Sequence, residues 1–155
     1  LNYTYGMRKN IVIFDVDGTL ANVQHRVHHV EHEDRADRNW AAFNDEMVND
    51  TTLEATCAIM RMFWSTGKHE IRVCTGRSEQ FRAYTEQWLF WNDLPYHSLH
   101  MRPDKDQRAD IMVKSEMLSE EDALRVVGIF EDRQAVVDMW RDRGLLVYQV
   151  AAGNF

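Results

Sequence analysis

Two cysteines in 155 residues, Cys57 and Cys74, are too few to staple a small fold. One falls in an expected helix and the other in an expected buried strand, so nothing pairs them, and reduced thiols in a cytoplasmic protein are the expectation. Long apolar runs are missing too. No stretch reads as a bilayer span, and no charged-then-apolar signal segment opens the chain, so a soluble intracellular protein with no membrane partner is expected. Positive charge is short: 18 Lys and Arg against 25 Asp and Glu leave a formal net charge of -7. That excludes coating long nucleic acid non-specifically, which rests on neutralising many phosphates. It leaves open a grip on one phosphate at one end. A Gly-x-x-x-x-Gly-Lys-Ser/Thr loop is absent, which removes the P-loop means of holding ATP. There are no repeats and no low-complexity tracts.

What is present is a globular composition, 45% hydrophobic and 28% charged, at a length that suits one domain with its own core. Residues 1–155 are read as a single domain. Leu1 is not an initiator, and Met7 is a candidate natural start.

The stretch from Ile11 to Leu20 organises the rest. Ile11-Val12-Ile13-Phe14 is β-branched and aromatic without a polar break, as expected of a strand buried on both faces. It ends in Asp15 and Asp17 flanking one valine. Open α/β sheets carry their chemistry at that carboxyl end. Two carboxylates on one short loop repel unless a cation sits between them, which predicts a hard ion such as Mg²⁺. Gly18 lets the backbone turn away. A calcium loop of EF-hand type is excluded, because the regularly spaced oxygen ligands and the closing Glu are missing.

Residues 22–50 are too long and too polar for a simple strand-to-helix turn. They are read as a small helical cap insert, with a helix around Asn39 to Val48 carrying Trp40, Phe43 and Met47. Thr52 to Thr66 is a helix with Leu53, Cys57, Met60 and Trp64 on its core stripe. Ile71 to Cys74 is a short strand ending at Thr75-Gly76-Arg77. Glu79 to Trp91 is a helix whose Phe81, Tyr84, Trp88 and Trp91 share a packing face. Tyr96 to Met101 is a weak strand. A helix from Arg108 to Leu118 places Asp110 and Lys114 one turn apart on one side. Val126 to Phe130 is a strand ending at Glu131-Asp132, Gln134 to Arg141 a helix, and Leu145 to Val150 the last strand. Strands alternating with helices predict parallel pairing with right-handed crossovers: an α/β fold, a three-layer α/β/α sandwich around a parallel Rossmann-like sheet.

Asp15/Asp17, Thr75, and Glu131/Asp132 then end three strands at one sheet edge, with Lys114 beside them. Asp15-x-Asp17-Gly18-Thr19-Leu20 after an apolar strand, with Thr75, Lys114 and Asp132 following in order, resembles the haloacid dehalogenase-like phosphatase superfamily. Cys74-Thr75-Gly76-Arg77, the block from Glu131 to Arg141, and the ending Gln149 to Phe155 are similar to the 3′-phosphatase domain of bacteriophage polynucleotide kinase. The kinase half has no counterpart here, and Glu131 stands where that family has Asp. The resemblance implies Asp15 as nucleophile and Asp17 as general acid and base. It implies Thr75, Gly76, Arg77 and Lys114 around the phosphoryl group, and Arg26, Arg102 and Asp110 as substrate-handling groups. Asp15, Asp17 and Asp132, helped by Glu131, would hold Mg²⁺. The substrate would be a phosphorylated DNA or RNA 3′ end, with a nucleotide or another small phosphoester as the alternative. A receiver domain that keeps its phosphate is the rival class, and Asp17 speaks against it, since holding a phosphate needs no acid two residues after the acceptor.

The insert also holds His25, His28, His29 and His32, which a polar lid face explains and which leave a zinc or nickel site open.

Overall fold

A computed structural model describes residues 8–32 and 34–153 of the chain, so Met7, Asn154 and Phe155 of the sequence reading lie outside the described residues. In chain order the elements are β1 (Asn10–Phe14), β2 (Ala21–Asn22), α1 (Trp40–Asp45), β3 (Thr51–Thr52) and α2 (Glu54–Ser65). There follow β4 (His69–Ser78), α3 (Arg82–Trp91), β5 (Ser98–Arg102) and α4 (Asp110–Glu116). The chain closes with α5 (Glu120–Ala123), β6 (Val126–Arg133), α6 (Gln134–Asp142) and β7 (Val147–Gly153).

The apolar run of β1 divides by the two-residue period of a strand. Val12 and Phe14 point into a core shared with Cys57 and Met60 of α2 and Trp88 and Leu89 of α3. Ile11 and Ile13 point into a second core with Val136, Val137 and Trp140 of α6. Each such side chain, fully buried, contributes about 1.5–3 kcal/mol. Helices therefore cover both faces of a five-stranded sheet ordered β5-β4-β1-β6-β7, in which every neighbouring pair is parallel. Phe14 stacks on Phe130 of β6 with ring centroids 4.6 Å apart. The three-layer α/β arrangement is the expected one.

Two strands run on where the apolar pattern stops. β4 continues through Thr75, Gly76 and Arg77 to Ser78, and β6 through Glu131 and Asp132 to Arg133. Their neighbours keep offering backbone partners beyond register shifts between Cys74 and Ser78 and between Glu131 and Arg133. Such irregularities re-aim side chains next to a site.

Between β2 and β3, which pair antiparallel, the chain makes an excursion outside the main sheet. Val23, Val27, Val30 and Phe43 give it a small core. The helix expected over 39–48 is shorter: Asn39 caps α1 by accepting from the Ala42 N–H at 3.0 Å, and Glu46–Asn49 tightens into a 3-10 turn. The aromatic face of α3 splits. Trp88 is buried, with Nε1 donating to the Asp50 carbonyl at 3.0 Å, and Tyr84 donates to the Met47 carbonyl at 2.8 Å. Buried indole and phenol groups need such partners, and here they pin the end of the excursion to the sheet layer. Trp91 is exposed instead, as is Trp64 of α2, which leans on His97 rather than on the core. Cys57 and Cys74 are free and buried, and burial pushes their thiols up to about 11 and about 12. Among the described residues no helix is long and apolar enough to cross a membrane.

Candidate active site

Asp15 follows the last residue of β1, and its N–H donates to the Phe130 carbonyl of β6 at 3.0 Å. This sets its carboxylate beside those of Glu131 and Asp132. One oxygen from each of the three buried residues lies within 4.8 Å of the others. Lys114, buried on α4, donates to Asp15 Oδ1 and to Glu131 Oε2, each at 2.7 Å. Burial and the Glu131 charge push the Asp15 carboxyl up to about 8 despite Lys114. Burial and the Asp15 charge push Asp132 up to about 7. Burial likewise raises Glu131, against the pull of Lys114. Lys114, although burial disfavours its charge, is held well above its ordinary value by Asp15, Glu131 and Asp110. Three carboxylates around one ammonium leave negative charge that is costly to ionise at neutral pH. An all-oxygen, carboxylate-rich donor set fits a hard divalent cation.

Glu131 uses its extra methylene: Oε2 meets Lys114, while Oε1 accepts the N–H groups of Asp132 and Arg133, each at 3.2 Å. Gly18 makes room for this cluster. Its φ of 82° suits glycine, and a Cβ there would lie 2.1 Å from Asp132 Oδ2.

Asp17 faces two arginines. Arg77 donates to it through Nη2 at 2.6 Å and Nε at 3.0 Å, and Arg26 through Nη2 at 2.5 Å. Both arginines also grip Asp50: Arg26 at 2.6 and 2.7 Å, Arg77 at 2.8 Å. Burial would raise Asp17, but Arg77 and Arg26 outweigh it and hold the carboxyl well below the usual range. Arg26 is fully buried, lies over the Phe43 ring at 4.0 Å, and donates to the Phe43 carbonyl at 3.2 Å. Four of its N–H directions are thus taken inside the protein. Arg77 differs. Its Nη1 is buried without a hydrogen-bond partner among the described residues, and the side chain lines the cavity over Asp15. Arg77 thus lines the cavity with one donor nitrogen uncommitted, which a small shift of the side chain would offer to an anion.

Thr75 is fully buried behind the site, its hydroxyl accepting the Arg77 N–H at 3.2 Å. Gly76 lies against Asp110, whose Oδ1 a Cβ would meet at 2.6 Å. Arg102 donates to the carbonyls of Gly76, Asp106 and Arg108 at 3.0, 3.1 and 2.8 Å and to Asp110 at 2.9 Å. It organises the loop between β5 and α4. Burial would raise Asp110, yet Lys114, Arg133 and Arg102 hold it below its ordinary value.

The cavity measures about 640 Å³. Asp15, Asp17, Lys114 and Asp132 are among its lining residues. Trp40 and Phe43 of the excursion line it as well, together with Gln80, Lys105 and Arg108. Two of these features escaped sequence reasoning. Asp50, the last residue of the 22–50 insert, carries no motif or local spacing that marks it as part of the site. Trp40 was read as a helix-face residue, although it is 40% exposed on the cavity wall.

A family profile and several solved structures match this chain. The profile of the polynucleotide kinase PNKP phosphatase domain matches residues 9–155. The solved structure titled "Structure of the Pnkp1/Rnl/Hen1 RNA repair complex" contains a chain similar to this one at 27% identity with a TM-score of 0.77, covering 95% of this chain and 44% of that one. A second, titled "Structure of Pnkp1/Rnl/Hen1 complex", is similar at 26% identity with a TM-score of 0.75, covering 97% and 48%. This chain thus spans less than half the length of those two. A haloacid dehalogenase-like family hydrolase from Streptococcus pneumoniae shares the fold at 11% identity, with a TM-score of 0.60 over 91% of this chain and 84% of that one. With the profile running through β1, the excursion and every strand end that builds the cavity, the chain belongs to the polynucleotide kinase PNKP phosphatase domain family, within the haloacid dehalogenase-like phosphatases.

Proposed function

We propose that this phosphatase domain is a Mg²⁺-dependent polynucleotide 3′-phosphatase that works through an aspartyl-phosphate on Asp15. The observation that carries the proposal is the joint placement, under one cavity, of the Asp15 carboxylate against Lys114 and of the unpartnered Arg77 Nη1. A nucleophile and phosphoryl-oxygen donors then share one site. Asp15, Asp132 and Glu131 would hold the cation, which neutralises charge on the phosphoryl oxygens when bound.

In the first step an Asp15 carboxylate oxygen attacks phosphorus in line, and the bond to the 3′-oxygen breaks. That oxygen leaves with a proton from Asp17. In the second step Asp17 takes a proton from water, whose oxygen attacks the phosphoryl group, and inorganic phosphate and free Asp15 result. Lys114 holds Asp15 in place in both steps. Asp17 is an unprotonated carboxylate while both arginines grip it, so before the first step it takes up one proton, from solvent or from the hydroxyl of the bound phosphate monoester. Phosphoryl oxygens compete for Arg77, and each contact that Arg77 transfers to the substrate raises the affinity of Asp17 for the proton it must deliver.

The cavity is wider than a phosphate needs, and its lining suits a nucleotide: an indole from Trp40 to stack a base, and Lys105 for backbone phosphate, while Arg108 is engaged by Asp106 and Glu116. The RNA repair complex in which one similar chain was solved supports including RNA ends. The deciding experiment compares kcat/KM for 3′-phosphorylated oligoribonucleotides and oligodeoxyribonucleotides, their 5′-phosphorylated counterparts and 3′-mononucleotides. We expect the 3′-phosphorylated oligonucleotides to lead. Equal turnover of mononucleotides would turn the assignment to a small-molecule phosphatase.

A further inference from the structure

The excursion carries a histidine pair that the phosphatase chemistry leaves unused. His28 and His29 form the end of the 3-10 turn Val27–His29, and Glu46 opens the 3-10 turn Glu46–Asn49 that follows α1. One donor atom from each of the three lies within 4.8 Å of the others. His29 Nε2 already meets Glu46 Oε1 at 2.9 Å, and the two imidazole rings sit side by side with centroids 3.9 Å apart. We propose that His28, His29 and Glu46 form a second metal site, for a borderline ion such as Zn²⁺, separate from the oxygen-lined site at Asp15.

The donor set argues for the ion. Two imidazole nitrogens and one carboxylate oxygen are ligands of tetrahedral zinc with a fourth position left to water. The active-site cluster offers carboxylate oxygens alone, which suit magnesium, so the two sites sort the two ions by chemistry. Both sides of the site are anchored. Val27, next to His28, is buried in the core of the excursion, and Met47, next to Glu46, is buried with its carbonyl held by Tyr84. His28 is exposed and His29 and Glu46 are half-buried, so an ion has access and the side chains can close on it. His25 stands outside the set, with Nε2 at 3.2 Å from the Glu46 carbonyl and 3.6 Å from Asp50. A bound ion clips the turn that follows Arg26 to the end of α1, the helix that carries Trp40. Its first effect is therefore on the rigidity of the excursion, and the proposal stands apart from the substrate assignment.

The test uses the whole chain, stripped with chelator and then held in millimolar Mg²⁺ so that the active-site carboxylates are occupied. Zn²⁺ is titrated against a chromogenic competitor, and Co²⁺ is added separately to read its visible absorption. We expect one equivalent of Zn²⁺ per chain and a rise in melting temperature on binding. Affinity should fall at least about tenfold in His28→Ala, His29→Ala and Glu46→Gln, with loss of the Co²⁺ bands, and stay unchanged in His32→Ala. His28→Ala removes an exposed side chain and Glu46→Gln keeps the shape, so a fall in affinity in these two without a change in the zinc-free melt reports ligation rather than unfolding. Absence of stoichiometric Zn²⁺ in the presence of Mg²⁺ overturns the proposal. So does undiminished binding in the His28→Ala/His29→Ala double variant, which would place the ion on the Asp15 cluster.

Discussion

Arg77 holds Asp17 by two parallel donors, Nη2 at 2.6 Å and Nε at 3.0 Å, while its third nitrogen stays buried and unpaired beside the cavity. The proposed acid and a proposed phosphate contact are thus one mechanical unit. Arg77→Lys keeps a charge but loses the fork. We expect kcat/KM to fall by roughly 10²–10³ on aryl phosphates and oligonucleotides alike, in the range seen for a lost transition-state donor. Steady-state kinetics on both substrates checks this, and loss confined to oligonucleotides would move Arg77 away from the scissile phosphate.

Arg26 was expected at the substrate, and its position beneath the cavity leads to a different outcome. Arg26→Ala leaves Asp50 buried without one of its two arginines, and breaking such a buried pair costs about 3–5 kcal/mol. Urea unfolding should show that loss. Activity on a small aryl phosphate and on an oligonucleotide should drop by the same factor, because the effect passes through Asp17. Asp50→Asn should reproduce both results, and a selective loss on oligonucleotides in Arg26→Ala would restore a direct contact with the neighbouring phosphate.

The carboxylate cluster predicts a pH-dependent stability. Asp15 and Asp132 are raised to about 8 and about 7 from an ordinary 3.8, so the folded state binds more protons between about pH 4 and pH 8. Stability of the metal-free protein should fall as pH rises through that window. The groups with depressed values, such as Asp17 and Asp110, are already ionised in both states above about pH 5 and do not offset this slope. Mg²⁺ should raise the melting temperature more at pH 8 than at pH 5, and Asp15→Asn should flatten the metal-free slope while abolishing turnover. A flat metal-free profile in the wild type would contradict the charge balance argued for the site.

Trp40 is held edge-on to Phe43, with ring centroids 5.7 Å apart at 82°. If the terminal base stacks there, Trp40→Ala should raise KM for 3′-phosphorylated oligonucleotides by roughly 5- to 150-fold, the equivalent of about 1–3 kcal/mol for one stacked base. Trp40→Phe should recover most of it. An equal effect on a substrate without a base would make Trp40 a packing residue of the cavity wall.

Much of this molecule was open to inspection before any coordinates. Most strands and helices followed from local periodicity; Asp15, Asp17, Glu131 and Asp132 stood out at the ends of apolar runs, and Lys114 was named through the order of the motifs and the resemblance to the phosphatase superfamily. Such features survive as pattern, since the energy that dictates them is local burial and local repulsion. Element ends were harder to place. β4 and β6 run past their apolar stretches because a neighbouring strand supplies hydrogen bonds that no single segment can announce.

What the tertiary structure alone decided is how the charges pair. The sequence offers Arg26, Arg77 and Arg102 as equivalent candidates for a phosphate. Folding directs Arg102 to loop carbonyls and Asp110, buries Arg26 between Asp17 and Asp50, and leaves Arg77 with a nitrogen unpaired beside the cavity. Asp50 became part of the site by the same route, 33 positions after Asp17 in the chain yet bonded to the same two arginines. A long guanidinium can meet any carboxylate within reach. Which one it meets depends on distances between segments brought together by the packing of β1, the excursion and β4, and that information is absent from the order of the residues themselves.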